Sequence, residues 1–297
     1  MGHIITDLKE AFRRGNVYIQ LIFINVGVFV ITTLILLQLF NRSAAGIFEL
    51  LALPASFTRF AWQPWSIFTY MFMHAGFLHI LFNMLWLYWF GALFLYFFSG
   101  KHLRGLYIVG GICGGLLYMI SYNVFPYFRP MTAYSTMVGA SASVLAIVVA
   151  TAYREPNYPV RLLFFGNVRL KYLALIVVLT DLLFITSSNA GGHIAHLGGA
   201  LAGLWFAASL NKGKDITSWV NKALDAIAAL FSAKTWKRKP KMKVHYGNNT
   251  RQNDYDYNAR KKAQSDEIDR ILDKLKKSGY ESLTTEEKKS LFDASKR

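Results

Sequence analysis

The chain has 297 residues, a formal net charge of +16 and 54% hydrophobic residues. Soluble domains average roughly 45–50% apolar residues, and here the excess lies in long runs with few charges, which indicates a polytopic membrane protein. Basic residues beside membrane spans report topology and contact with anionic lipids, so this charge does not indicate a nucleic-acid partner. The single cysteine, Cys113, excludes both a disulfide framework and a cysteine metal site within the chain.

The N-terminal part of the chain is expected to hold a surface segment, one membrane span and a loop. Residues 1–16 are polar and charged, with apolar residues on one possible helix face, which predicts a helix at the inner membrane surface. The apolar run over about 17–39 is long enough for the first span. Residues 41–66 contain two prolines and two tryptophans, so we expect a half-embedded loop with short helices.

Five further apolar runs predict the remaining spans. They cover about 76–98, 105–125, 135–152, 172–185 and 193–210. The expected fold class is therefore an all-α membrane protein with a six-helix core over residues 17–211. Glycine pairs within 110–115 are typical of close helix contacts in lipid.

The distribution of lysine and arginine predicts the orientation of the spans. These residues are concentrated in the N-terminal segment, the turn at 99–104, the loop at 153–171 and the tail. Because cytoplasmic loops carry the excess of positive charge, both termini are expected in the cytoplasm. Residues 212–263 are predicted to be an amphipathic and basic linker, disordered over 247–263, and residues 264–297 a small helical tail of unknown partner.

One serine near the outer end of the fourth span could be a nucleophile. Ser141 lies among small residues, two positions after Gly139, at the start of an apolar stretch of helix length. Taken alone, this pattern is more often helix packing than chemistry. His196 lies at similar depth on the sixth span, one turn before Gly199. If the two spans touch through their small residues, the imidazole could act as a base toward the hydroxyl.

Polar residues inside spans are costly, so three at the outer end of the second span also need an explanation. His79 and Asn83 are four residues apart and share a helix face, and His74 precedes them. Their donors could stabilise an oxyanion together with the backbone N–H of Ser141. The alternatives are a hydrogen-bonded helix contact or a zinc site, which would need about three protein ligands at suitable spacing.

The order of these motifs resembles the rhomboid family of intramembrane serine proteases. The matching motifs are His-x-x-x-Asn at 79–83, Gly-x-Ser-x at 139–142 and His-x-x-Gly-x-x-x-Gly at 196–203. The resemblance implies a dyad in which Ser141 is the nucleophile and His196 the general base. It also implies supporting roles, which fall to His79 and Asn83 at the oxyanion and to His74, Gly139 and Gly199 around the site.

The same resemblance implies a substrate class. Transmembrane proteins would be cut near the outer face of the membrane, with no metal or cofactor and with membrane lipids as the other partners. No organelle-targeting presequence is evident, which favours a bacterial cytoplasmic membrane. Leu145 stands where many relatives carry an aromatic residue against the histidine, and Ser66 where some carry arginine. These departures leave open how the catalytic ring and the loop are held.

Two further polar residues lie near the predicted site. Asp181, in the fifth span, is interpreted as a buried hydrogen-bond partner and not as a triad member, and His193 is a second candidate for the base. Two other functions stay open. A non-catalytic rhomboid-like protein that binds and guides membrane helices would usually lack the serine or the histidine. A small-solute transporter would be supported by an inverted repeat, and none is evident.

Overall fold

The computed structural model describes Phe12 and residues 15–32, 42–162, 166–230 and 250–295. The chain divides into two compact units, Met1–Thr235 and Trp236–Arg297. The first unit is a helical bundle, and the second is a small helical unit.

Helices form almost all of the regular structure in the described part of the bundle. In chain order they are α1 Val17–Phe29, α2 Arg42–Leu51, α3 Phe57–Trp62, α4 Ser66–Thr69, α5 Phe77–Phe97, α6 Gly100–Val124, α7 Ser141–Arg154, α8 Leu170–Leu183, α9 Ala190–Asn211 and α10 Ser218–Leu230. Helices α5, α6 and α9 are long and apolar enough to cross a membrane, and α1 and α7 are shorter apolar helices. This is the helical membrane bundle expected from the sequence, with short helices in the loop after α1.

Two antiparallel strand pairs connect the helices. Strand β1, Leu53–Pro54, pairs with β2, Thr136–Met137, so that Leu53 lies opposite Met137. Strand β3, Pro159–Leu162, pairs with β4, Gly166–Arg169. The first pair joins the loop after α1 to the residues before α7, which places that loop beside the start of α7.

The two helices that carry Ser141 and His196 touch backbone to backbone. A side chain added at Gly199 on α9 would collide with the carbonyl oxygen of Ala142 on α7, and one at Gly203 with that of Ala146. No side chain separates the helices at these points. The helix-to-helix distance is therefore set by two backbones in contact, as is typical of small-residue interfaces in membranes.

Replacing Gly199 with valine should destabilise the bundle. The added atoms would meet only backbone atoms of α7, which cannot move aside as a flexible side chain could. Overpacking of this kind costs roughly 1–3 kcal/mol. We expect a lower melting temperature for purified protein in detergent. Gly27→Val on α1 is the matched control, because a Cβ there meets nothing within 4 Å. Equal melting temperatures for the two variants would contradict the close contact.

Buried hydrogen bonds fix the segment before α5 against the bundle. The Tyr107 hydroxyl on α6 donates to the carbonyl of Met71 at 2.9 Å and accepts from Asn25 Nδ2 on α1 at 3.0 Å. The Tyr70 hydroxyl donates to the Gly111 carbonyl at 2.6 Å. These side chains are fully buried, where an unpaired polar group would be costly. The backbone around residue 70 is thereby held for its contact with the site.

The boundaries of several predicted elements were wrong. The fourth span was predicted to begin near residue 135, but α7 begins at Ser141, because β2 and an extended turn occupy the preceding residues. The predicted loop 153–171 contains β3 and β4, and α8 already begins at Leu170. The surface helix expected over 1–16 and the end of the first span fall largely outside the described residues.

The second unit is more ordered than the sequence suggested. It contains α11, Thr250–Ser278, and α12, Thr285–Ser295. Residues 250–263 were expected to be disordered but form the first half of α11; the segment contains neither glycine nor proline, which favours helix over a linker. Gly279 follows α11 with a φ of 77°, a conformation that is typical of a glycine just past the C-terminus of a helix.

A capping box begins α12 and connects it to α11. The N–H of Thr284 donates to Glu287 Oε2 at 2.8 Å, and the N–H of Glu287 donates to the Thr284 hydroxyl at 3.3 Å. Lys274 Nζ on α11 also donates to Glu287 Oε2 at 2.8 Å. These partners hold the pKa of Glu287 well below its usual range, at about 2.

Acid should weaken α12 through this one carboxylate. Because the folded pKa is depressed, the stabilisation is complete above the ordinary pKa of 4.5 and is lost as the pH falls toward about 2. We expect Glu287→Gln to reduce amide exchange protection of α12 at neutral pH and to match the wild type near pH 2. Glu286→Gln, which removes a neighbouring carboxylate without the Lys274 bond, is the control. A difference between wild type and Glu287→Gln that persists near pH 2 would contradict the assignment.

Candidate active site

Ser141 is the first residue of α7, and a strained glycine places it there. Gly139 has a φ of 137°, a conformation that favours glycine, and its N–H donates to the carbonyl of Tyr70 at 3.0 Å. A Cβ at Gly139 would lie 2.9 Å from His79 Nε2 and 3.6 Å from Ser141 Oγ. The absence of a side chain therefore lets the imidazole of His79 and the hydroxyl of Ser141 approach the same point.

The N-terminus of α7 supplies unpaired backbone donors beside the Ser141 hydroxyl. The first intrahelical bond of α7 runs from Val144 N–H to the Ala140 carbonyl, so the N–H of Ser141 has no partner within the helix. The helix has 14 residues, and its dipole favours negative charge at this end. An oxyanion formed next to Ser141 would be stabilised by both effects.

The tautomer of His79 follows from its hydrogen bond. Nδ1 of His79 accepts from the N–H of Ala75 at 3.4 Å, so the proton of the neutral ring lies on Nε2. Nε2 is the atom that lies against Gly139. His79 therefore presents an N–H donor toward Ser141, as an oxyanion-stabilising residue would.

Asn83 and His74 lie on either side of His79. One N–H of Asn83 Nδ2 donates to the carbonyl of His79 at 2.8 Å, and the amide has a second N–H for another acceptor. The ring of His74 is fully buried and contacts the His79 ring edge to face, with centroids 5.2 Å apart. Neither ring nitrogen of His74 is hydrogen-bonded in the described part of the chain. His74 thus packs the imidazole of His79 in place.

An acidic residue from α8 holds the candidate base. Nδ1 of His196 lies 2.8 Å from Oδ1 of Asp181, which is only 5% exposed. Nδ1 of His193, one turn earlier on α9, lies 2.8 Å from the same oxygen. Because an ionised carboxylate only accepts hydrogen bonds, both Nδ1 atoms carry a proton. The neutral His196 ring then has its lone pair on Nε2, the nitrogen that a general base uses.

This contact changes the interpretation made from the sequence. Asp181 is predicted from the sequence to be a buried hydrogen-bond partner and not a triad member, and its partner is the candidate base itself. Leu145, at the position where relatives carry an aromatic residue, is buried and lines the same cavity as His196. The carboxylate of Asp181 therefore restrains a ring that has no aromatic neighbour at position 145. The sequence does indicate that Asp181 has a nearby polar partner, because an acidic residue in a membrane span is costly unless it is paired.

A cavity of about 520 Å³ joins the predicted site residues. Its polar lining comes from α5, α6, α7, α9 and the residues just before α7 and α9. It includes Ser141, His196, His79, Asn83, Tyr118, Tyr122, Ser135, Thr136 and Asn189. Within the described residues Ser141 and His196 share no hydrogen bond, and such bonds are often long in a protein without substrate. Gly199 lies below the cavity at the contact between α7 and α9.

A second, apolar cavity of about 230 Å³ also borders Ser141. Ser141, His196 and Asn83 line it together with apolar residues from α5, α7 and α8. Those apolar residues are Phe82, Trp86, Val144, Leu145 and Val177. A reacting group at Ser141 would thus border both a polar cavity and an apolar one.

The fold and the site together define an integral membrane protein with a polar cavity between its helices. Comparison with known families gives a narrower assignment. The rhomboid domain family matches residues 61–212, about half of the chain, and the chain belongs to this family. The resemblance noted in the sequence is thereby confirmed, and the match includes every residue of the candidate site.

A known relative and a second family complete the comparison. RHOMBOID-like protein 12, mitochondrial, of Arabidopsis thaliana is 29% identical over 158 residues, which are 50% of this chain and 47% of that protein. The chain therefore spans about half the length of this relative. Residues 252–297 match a family of unknown function, DUF6576, which corresponds to α11 and α12.

Proposed function

We propose that this protein is an intramembrane serine endopeptidase. The observation that carries the proposal is the set of side chains around one cavity. A serine at the N-terminus of a helix and a histidine held by a carboxylate line it together with two side chains that offer N–H donors. Membership of the rhomboid family, which includes serine proteases, supports it. Each of these groups has a distinct role in acyl transfer.

Ser141 and His196 carry the covalent chemistry in this proposal. His196 Nε2 takes the proton of the Ser141 hydroxyl as Oγ attacks the carbonyl carbon of the scissile peptide bond. The protonated ring then gives this proton to the leaving amine, which leaves an acyl-enzyme ester on Ser141. Water activated by the same Nε2 hydrolyses the ester and restores the free serine. The polar cavity offers a space in which that water is accessible.

The oxyanion receives donors from two helices. His79 Nε2–H and the second N–H of Asn83 come from α5, and the Ser141 backbone N–H comes from α7. Removing one such donor typically costs about 10²–10³-fold in rate. Gly139 and His74 support this geometry, the first by leaving room for His79 and the second by packing its ring.

Asp181 is a positioning residue in this scheme. By accepting from Nδ1–H it keeps the Nε2 lone pair of His196 available, and it stabilises the imidazolium that forms when the proton arrives. The proposed site is thus a serine–histidine pair assisted by a carboxylate. This assistance is an addition to the dyad that the family resemblance implies.

The substrates in this proposal are transmembrane proteins. An extended peptide bond in hydrocarbon leaves its N–H and C=O unpaired, so cleavage needs a polar cavity that also contacts the apolar phase. The cavities of about 520 and 230 Å³ that both border Ser141 meet this need. With both termini in the cytoplasm, as the charge distribution predicts, this site would lie under the outer face of the membrane.

Labelling by an active-site probe tests the proposal directly. Purified full-length protein is incubated with a fluorophosphonate, and the labelled peptide is located by mass spectrometry. We expect modification at Ser141, loss of labelling in His196→Ala, and cleavage of a transmembrane reporter in liposomes. Folded protein that is neither labelled nor able to cut a panel of reporters would overturn the proposal. It would favour a rhomboid-like protein that binds membrane helices without cutting them.

A further inference from the structure

Three ligand-type side chains converge behind the candidate base. Oδ1 of Asp181 and the Nδ1 atoms of His193 and His196 all lie within 4.8 Å of one another. Within the described residues, this is the one group of three or more such side chains close enough to share a cation. We propose that it binds a divalent cation of the zinc class, and that the bound cation switches the protease off.

The chemistry of the three donors suits zinc. Imidazole nitrogen and carboxylate oxygen are its usual ligands, at about 2.0–2.2 Å, and a tetrahedral ion would separate its ligand atoms by about 3.4 Å. The two Nδ1-to-Oδ1 separations are now 2.8 Å, so they would widen slightly when the ion takes the place of the two hydrogen bonds and each ring carries its proton on Nε2. His193 and His196 are three residues apart and project from one face of α9.

A second observation points to a cation at Asp181. Its other oxygen, Oδ2, is buried and has no hydrogen-bond partner among the described residues. A buried carboxylate oxygen without a donor is unusual, because buried polar atoms are nearly always paired. A cation held on the Oδ1 side would neutralise the carboxylate and could also be coordinated by Oδ2.

The site is accessible and leaves a coordination position open. The side chains of His193 and His196 are 19% and 23% exposed, so the ion can approach the ring edges without unfolding α9. Three protein ligands leave a fourth position for water. Zinc sites with three protein ligands and an open position are also the ones that exchange small ligands.

A cation in this site would prevent His196 from acting as a base, because it changes which ring nitrogen carries the proton. For the cation to bind, the proton of His196 moves from Nδ1 to Nε2, and the cation takes the Nδ1 lone pair that this exposes. No proton is gained or lost by the ring, but Nε2 can no longer accept the proton of Ser141. This inhibitory consequence rests on the proposed protease function, whereas cation binding itself does not.

Metal binding is tested first without any activity measurement. Full-length protein in detergent is titrated with Zn²⁺ by calorimetry and with Co²⁺ by visible absorption. We expect one strong site per chain with the absorption of a tetrahedral cobalt ion. His193→Asn keeps an N–H donor for Asp181 but removes a metal ligand. It should weaken binding by at least about 10–100-fold, the loss that even outer-shell changes cause.

A histidine–aspartate pair elsewhere in the bundle provides the matched control. His102 Nε2 lies 3.6 Å from Asp215 Oδ2, and this pair has no third metal-ligand side chain beside it among the residues that the structure describes. His102→Asn should therefore leave the strong site unchanged. The absence of a strong site, or a strong site that His193→Asn leaves intact, would overturn the proposal.

Inhibition is tested second, in liposomes with a transmembrane reporter. Zn²⁺ should stop cleavage by the wild type, EDTA should restore it, and His193→Asn should stay active at Zn²⁺ concentrations that inhibit the wild type. If Zn²⁺ binds but the cleavage rate does not change, the inhibitory role is overturned and the metal site is not. The protein could also bind Zn²⁺ in a way that depends on His193 but cleave no reporter. That result would support the metal site and contradict the proposed protease function.

Discussion

Ser141→Ala should abolish proteolysis. The hydroxyl forms the covalent bond to substrate in the proposed mechanism, and alanine has no group that can form it. Loss of a catalytic serine commonly lowers kcat by on the order of 10⁴-fold or more. The measurement is the initial rate of cleavage of a transmembrane reporter in liposomes, with melting temperature as the check on folding.

Ser143→Ala is the matched control for this loss. Ser143 lies on the same helix two residues later, is fully buried, and its hydroxyl has no hydrogen-bond partner among the described residues. Its removal should leave cleavage near the wild-type rate. His196→Ala should be as inactive as Ser141→Ala, and the double variant no worse, because the two groups act as a unit. Substantial cleavage by Ser141→Ala would remove this serine from the mechanism.

Asp181→Asn should lower kcat by about 10²–10⁴-fold, with a much smaller change in KM. The asparagine has nearly the same shape but can offer an N–H to Nδ1, which favours the His196 tautomer with its proton on Nε2. A comparable change in a soluble serine protease costs about 10⁴-fold. The measurement is a full rate-against-substrate curve in liposomes prepared without added divalent cations.

A purely structural role for Asp181 would give a different pattern of results. Nitrogen NMR of histidine-labelled protein reports which ring nitrogen carries the proton. We expect protonated Nδ1 at His196 in the wild type and protonated Nε2 in Asp181→Asn. Asp181→Glu, which retains a carboxylate, should recover part of the rate. An Asp181→Asn protein with normal kcat and an unchanged His196 tautomer would show that the hydrogen bond is incidental to catalysis.

Local sequence features predicted much of the bundle. Apolar runs located α5, α6 and α9 to within a few residues, since a span needs a fixed length of apolar chain. Glycines four apart predicted the contact surface of α9, because only backbone approach explains them. The capping box of α12 and the position of Gly279 after α11 also obey short-range rules.

The features that local patterns missed depend on distant residues. The start of α7 is set by the pairing of Thr136 with Pro54 and by the bond of Gly139 to Tyr70, partners about 70–80 positions away in the chain. The approach of Asp181 to His196 depends on how α8 is rotated against α9. Hydropathy gives no information on that rotation when most of the helix surface is apolar. The helix over residues 250–263 does not follow from composition, because polar residues without glycine or proline are compatible with both helix and disorder.

The backbone contact between α7 and α9 has a consequence for how the protein can change over time. The spacing of Ser141 and His196 depends on Gly199, Gly203 and the main chain facing them, and hardly on side-chain size elsewhere. In the proposed protease, substitutions in the apolar cavity at Leu145 or Val177 would change which substrates fit, while Ser141 and His196 stay aligned. Substrate preference could then change through substitutions in this cavity, whereas the two glycines would have to be retained for the proposed reaction.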